Sequence, residues 1–147
     1  MKDIGLRLAR AVSGPGIIYF QGELGAGKTT LVRSLLRGLG FRGKVKSPTY
    51  TLIEPYPLGQ LTVYHLDLYR LASGDELEWI GIRDLMAGNE LLLVEWPEQG
   101  EGALPPPDLV VAIDYRDAGR QLDLQAASTR GHQWLAAMPD ARPTDAG

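Results

Sequence analysis

Ile17-Ile18-Tyr19-Phe20-Gln21-Gly22-Glu23-Leu24-Gly25-Ala26-Gly27-Lys28-Thr29-Thr30-Leu31-Val32 is the stretch that decides the fold. Residues 22–29 fit the phosphate-binding pattern G-x-x-x-x-G-K-[ST] without a mismatch. The pattern carries meaning only between a strand and a helix, and both are present in outline. Ile17 to Phe20 is apolar and rich in strand formers. Leu31, Val32, Leu35, Leu36 and Leu39 recur at helical spacing, and Gly40 stands where a helix C-cap belongs. A strand over 17–21 and a helix over 28–39 are therefore expected. Glycines let the backbone curl so that successive N–H groups point at phosphate oxygens, and the helix N-terminus adds positive potential. Lys28 would reach the β- and γ-phosphates, and the Thr29 hydroxyl would ligate Mg²⁺. Gly22, Gly25, Ala26, Gly27, Lys28, Thr29 and Thr30 are thus the candidate nucleotide-binding residues, with a nucleoside triphosphate as the expected ligand.

Upstream, Leu6, Leu8, Ala9 and Val12 suggest a short helix ended by Ser13-Gly14-Pro15-Gly16. Downstream, Tyr50–Ile53 reads as strand-like, with Pro55 and a Pro57–Gly59 turn separating it from Leu61–Leu66, the spacing of a hairpin. Ser73 or Asp75 could cap a short helix through Glu76, Leu77 and Trp79, and another is expected around Asp84–Met86. Leu91-Leu92-Leu93-Val94 is continuously apolar, as in a strand buried on both faces of a parallel sheet. Pro97–Pro107 reads as a loop, Leu109–Ile113 and Leu122–Ala126 as late strands, and 131–137 as a last helical turn. Strands interleaved with helices around a phosphate loop predict an α/β, P-loop NTPase-like three-layer sandwich with a mainly parallel central sheet and antiparallel additions. The expected organisation is one domain over 1–138 and a disordered tail over 139–147.

Such a fold needs a second acid at the end of a buried strand, beside the phosphate loop, to hold Mg²⁺ directly or through water. Glu95 follows the apolar run 91–94 and is the first candidate; a glutamate there could instead orient the attacking water. Asp67 competes. It also ends a strand, but the segment before it alternates, which suggests a half-exposed strand. Asp67 could serve the metal through water, position the nucleophile, pair with Arg70 or cap the turn. His65 shares its face by strand periodicity and reads as a structural hydrogen-bonding residue. Ser47-Pro48-Thr49-Tyr50-Thr51 lies where nucleotide switches carry a γ-phosphate sensor, with Thr49 as the hydroxyl of interest. Trp96, beside Glu95, could stack on a base or a partner surface.

Composition narrows the function classes. The 147 residues carry 15 Lys and Arg against 18 Asp and Glu, a formal charge of −3, so the broad positive field of a protein that grips nucleic acid alone is missing. There is no cysteine, hence no disulfide and no thiolate metal site. No run reaches transmembrane length, and the opening residues lead into an amphipathic helix, so a cytoplasmic protein without a membrane partner is expected. An Asn-Lys-x-Asp guanine-reading segment is missing, which favours ATP, and so is an arginine-dense kinase lid. Three functions fit the loop: an ATPase, a small-molecule kinase, or a nucleotide-gated binding module with negligible hydrolysis.

Several segments, in order, resemble one family: Gly22–Thr30, Lys46–Leu52, Tyr64–Leu71, Glu76–Glu78, Gly81–Asp84 and Val94–Glu98. Together they resemble the bacterial TsaE (YjeE) family, over roughly residues 5–127. Two positions depart from its pattern: the chain opens close to the first helix, and Met86 stands where an aromatic is common. The resemblance implies an ATPase, weak alone, of the tRNA threonylcarbamoyladenosine pathway. It would work with TsaD- and TsaB-type proteins and meet tRNA only through that complex, hydrolysing ATP to reset it between turnovers. It further implies ATP and Mg²⁺ as cofactors, Lys28 and Thr29 on phosphate and metal, and Glu95 as the second metal-side acid. Asp67 and Ser47–Thr51 would be switch-like elements, and Trp96 would lie close to the nucleotide.

Overall fold

The computed structural model describes residues 2–23, 25–48, 51–71, 81–82, 84–86, 88–116 and 119–139. Its elements are α1 (Lys2–Ala11), β1 (Gly16–Gly22), α2 (Lys28–Leu39), β2 (Ile53–Leu58), β3 (Leu61–Asp67), β4 (Glu90–Glu95), β5 (Leu109–Arg116), β6 (Gly119–Ala126) and α3 (Thr129–Ala137). Short 3-10 turns cover Asp84–Met86 and Pro97–Gly100. The helix expected through Glu76, Leu77 and Trp79, residue Thr49 and residues 140–147 lie outside the described residues.

Six strands form one sheet in the order β2-β3-β4-β1-β5-β6. The four inner strands run parallel, and β2 and β6 are added antiparallel at the edges. This is the expected α/β architecture. Strand β4 lies between two parallel neighbours, which explains its unbroken apolar run. Leu91 and Leu93 join the cluster under α1, α2 and α3; Leu92 and Val94 join the cluster on the opposite face with Leu66, Leu68, Leu71 and Ile82. Helix α2 ends as expected: Gly40 adopts φ 110 and its N–H bonds back to Arg37 and Leu36.

Helices α1 and α2 approach closely because small residues meet. A side chain at Gly5 would collide with Ser34, and one at Gly38 with Ala9. At the far end, Asp108 fastens three elements. It accepts the Ile17 N–H at 2.9 Å and the Ser128 hydroxyl at 2.6 Å, while Ser128 caps α3 by accepting Gly131 N–H at 3.0 Å. That cap starts a nine-residue helix, longer than the single turn expected.

Two expectations need correction. The first hairpin strand is Ile53–Leu58, so Pro55 and Pro57 sit within it rather than in a turn, and the reversal falls at Gly59-Gln60. Spaced two apart, both proline nitrogens face the same side, and on an edge strand that side needs no ladder donor. Strand β3 is not half-exposed either. It lies between β2 and β4, and Val63, His65, Leu66 and Asp67 are all buried.

Candidate nucleotide and metal site

Parallel register brings the acids together. Asp67 and Glu95 are register partners at the last positions of β3 and β4, and Glu95 also pairs with Phe20 of β1. Leu68 N–H to Glu95 O (3.1 Å) continues the ladder one residue further and keeps the two strand ends side by side. Glu95 shares the face of Leu91 and Leu93, toward α2. Thr29, in the first turn of α2, therefore stands opposite it. The Thr29 hydroxyl lies 3.2 and 3.1 Å from the two Glu95 carboxylate oxygens.

The loop between β1 and α2 curls tightly. Gly22 has φ 154, and a side chain there would lie 2.7 Å from the Ile113 carbonyl; Gly27, with φ 111, turns the chain into α2. Ala26 is buried beneath the loop and donates its N–H to Glu23 O at 3.0 Å. Lys28 Nζ donates to the carbonyls of Gly22 and Glu23 and lies 3.8 Å from the Trp96 ring centroid. Trp96 holds a left-handed backbone (φ 57, ψ 51), a strain of roughly 1–2 kcal/mol for a residue with a side chain. It directs the ring toward Lys28 and against Tyr69, centroids 5.0 Å apart.

Charges are concentrated where water is scarce. Lys28 is 4% exposed, Asp67 9% and Glu95 3%, a density of buried ionisable groups that folding alone does not favour. Burial pushes the Lys28 ammonium below its ordinary 10.5, against the pull of Glu95, Glu98 and Asp67. Burial raises the Asp67 carboxyl above 3.8; the Tyr69 N–H opposes that, the Glu95 charge adds to it, and His65 and Lys28 oppose it. Asp67 Oδ1 accepts the Tyr69 N–H at 3.1 Å, which settles its turn-capping role. Its own N–H donates to Leu52 O at 3.0 Å, and Leu52 is left-handed at φ 72. Leu52 is thereby tied to the backbone of Asp67, and its own N–H donates to Pro48 O at 2.9 Å.

Gly25, Gly27, Lys28, Thr29, Thr30, Asp67, Glu95 and Trp96 line one pocket of about 370 Å³, together with Tyr69 and Arg70. Of the remaining sequence candidates, Gly22 contributes the carbonyl that receives Lys28, Ala26 supports the loop from below, and Thr49 lies outside the described residues. Sequence reasoning did not connect His65 to Glu95. His65 Nε2 lies 2.5 Å from Glu95 Oε2, fully buried. The shared face of 65 and 67 was visible, but the register that sets β3 against β4 was not.

The donor chemistry suits Mg²⁺. A hydroxyl and a carboxylate converge, with a second carboxylate on the neighbouring strand. Among the described residues no group of three or more His, Cys, Asp or Glu could hold a metal by itself. A few hard oxygens completed by phosphate and water is the arrangement Mg²⁺ favours over an all-protein cage.

Strand order, loop and acid pair define a P-loop NTPase-like α/β protein. Residues 1–122 match the family model described as threonylcarbamoyl adenosine biosynthesis protein TsaE. The chain belongs to the TsaE family. It is 49% identical over 121 residues to the tRNA threonylcarbamoyladenosine biosynthesis protein TsaE of Haemophilus influenzae, covering 82% of this chain and 77% of that protein. The protein of that name from Streptomyces coelicolor is 36% identical over 142 residues, 93% and 95% of the two chains. A crystal structure of Bacillus subtilis YdiB superposes with a TM-score of 0.72 at 28% identity, over 92% of this chain and 84% of that one. Among the described residues no helix is long and apolar enough to cross a membrane.

Proposed function

We propose that this protein is a Mg²⁺-dependent ATPase of tRNA threonylcarbamoyladenosine biosynthesis that hydrolyses ATP to reset a TsaB–TsaD threonylcarbamoyl transfer complex. One observation carries the nucleotide chemistry: the Thr29 hydroxyl within 3.2 Å of both Glu95 oxygens, beside buried Lys28. The pathway rests on family membership.

In this reading the loop N–H groups and Lys28 bind the phosphates, and Lys28 leaves the Gly22 and Glu23 carbonyls to do so. Thr29 and Glu95 hold Mg²⁺, which when bound neutralises charge developing on the β- and γ-phosphate oxygens. Asp67 is the residue that orients water. It ends the strand beside Glu95 and lines the same pocket, and Glu95 is already engaged by Thr29 and His65. Trp96 packs near the nucleotide. Thr49 and its neighbours sense the γ-phosphate, and the Leu52–Asp67 backbone bond links that segment to the water-orienting acid.

The test is phosphate release from labelled ATP, measured for the purified protein alone and with TsaB and TsaD. Stimulation by the pair, with loss of the modified nucleoside on gene deletion, is expected. Label recovered on a metabolite would favour a kinase. Nucleotide binding with no release under either condition would favour a nucleotide-gated binding module.

A further inference from the structure

A glutamate side chain has three rotatable bonds, and Glu95 serves the site only while its carboxylate faces Thr29. Thr29 restrains it from the front. From behind, His65 reaches it through the layer between sheet and helices. Its neighbours in that layer are largely aliphatic, with Val63 on the same strand and Leu91 and Leu93 on the next, while Glu54 is its register partner on β2. A polar ring here has a desolvation cost that an aliphatic residue of similar size would avoid. Nor does the ring serve its own hydrogen bonding. Among the described residues its buried Nδ1 has no partner, and its one polar contact there is Glu95 Oε2 at 2.5 Å. An imidazole kept in the core for a single bond to the acid is placed for that bond.

We propose that His65 is the positioning residue of this site. Its Nε2–H holds Glu95 Oε2 from the sheet side, so that the carboxylate keeps both oxygens within 3.2 Å of the Thr29 hydroxyl, where a divalent cation would meet them. The proposal rests on the metal–nucleotide reading of the pocket. It also assigns a tautomer. The bond requires the proton on Nε2 and leaves Nδ1 as a bare acceptor, the cheaper of the two atoms to bury unpaired.

Two measurements test it. The first is Mn²⁺ affinity, read by electron paramagnetic resonance with ADP present, for His65→Leu, His65→Gln and His65→Asn. Glutamine carries an N–H to nearly the place of imidazole Nε2; asparagine falls short. Leucine and asparagine should weaken Mn²⁺ binding roughly 10–100-fold, with metal-free ADP affinity changed less than about 3-fold, and glutamine should restore most of the loss. Equal Mn²⁺ affinity in the leucine and glutamine variants would overturn the proposal. The second measurement needs no nucleotide and no variant of His65. Long-range ¹H–¹⁵N spectra of the wild-type protein should show the Nε2–H tautomer, with a slowly exchanging downfield proton that Glu95→Ala abolishes. The Nδ1–H tautomer, or a proton indifferent to Glu95→Ala, would equally overturn it. If the wild-type protein binds neither nucleotide nor Mn²⁺, the functional reading falls, and the spectra still decide whether His65 holds Glu95.

Discussion

At the N-terminal ends of β1 and β5, Asp108 gives both carboxylate oxygens to the chain itself: one to Ser128, the other to the Ile17 N–H, with Arg130 3.6 Å away. At the C-terminal ends of β3 and β4, Asp67 has one backbone donor, a like-charged neighbour in Glu95, and a pKa raised by burial. The residue type is the same and the use is opposite. Asp108 is surrounded by donors and joins β1, β5 and α3 into one unit. Asp67 and Glu95 are crowded together near a buried lysine and a left-handed tryptophan, an arrangement that stability alone would not select. One end of the sheet is built for holding, and the other, on the proposed reading, for binding.

Substitutions at the two ends should therefore separate activity from stability. The largest effect is expected from Asp67→Asn, which should lower the ATP hydrolysis rate roughly 10²–10⁴-fold, as loss of a general base does, while Tm rises by no more than a few degrees. A fall in Tm together with intact hydrolysis would reverse the comparison. Lys28→Ala should weaken ATP binding on the order of 100-fold, from loss of a charge-assisted contact, without unfolding the protein; calorimetric titration reads this directly. Asp108→Ala should do the converse. It strands the Ile17 N–H and removes the acceptor of the Ser128 hydroxyl that orients the α3 cap, a loss of about 3 kcal/mol and roughly 10 °C in Tm, with ATP affinity unchanged in the folded fraction at lower temperature.

The smallest effect is a pH slope. The folded-state pKa of Asp67 lies above its ordinary 3.8, so between those values the folded chain holds the proton more tightly than the unfolded chain. The contribution of this group to stability is greatest below 3.8 and falls as pH rises through the folded pKa. Urea unfolding across that window should show Asp67→Asn gaining on the wild type as pH increases, then levelling off. A difference that shrinks with increasing pH would mean that Asp67 is stabilised, not strained, at the site.

Much of this contrast was legible in the chain, and what was hidden has physical causes. Loop 22–29, α2 and its Gly40 cap follow from local chemistry, and β4 was readable because a short unbroken apolar run is typical of a strand buried on both faces. The prolines misled because a residue that breaks a central strand is harmless on an edge, and edge position is a tertiary fact. The buried state of β3 was missed for the same reason. His65–Glu95 and Thr29–Glu95 depend on the β3–β4 register and on how α2 lies over the sheet, neither of which local periodicity encodes. The left-handed Trp96 has no sequence signature at all; only its place after Glu95 drew notice.

The central claim is that the acid pair and the loop beneath α2 form a site for ATP hydrolysis. The most direct measurement is the phosphate-release rate of Glu95→Gln beside the wild type, with TsaB and TsaD present and ATP affinity measured on the same samples. Release should fall by roughly 100-fold or more while ATP affinity stays within about 10-fold, because the loop and Lys28 remain to bind phosphate. Release at the wild-type rate from Glu95→Gln would contradict the account.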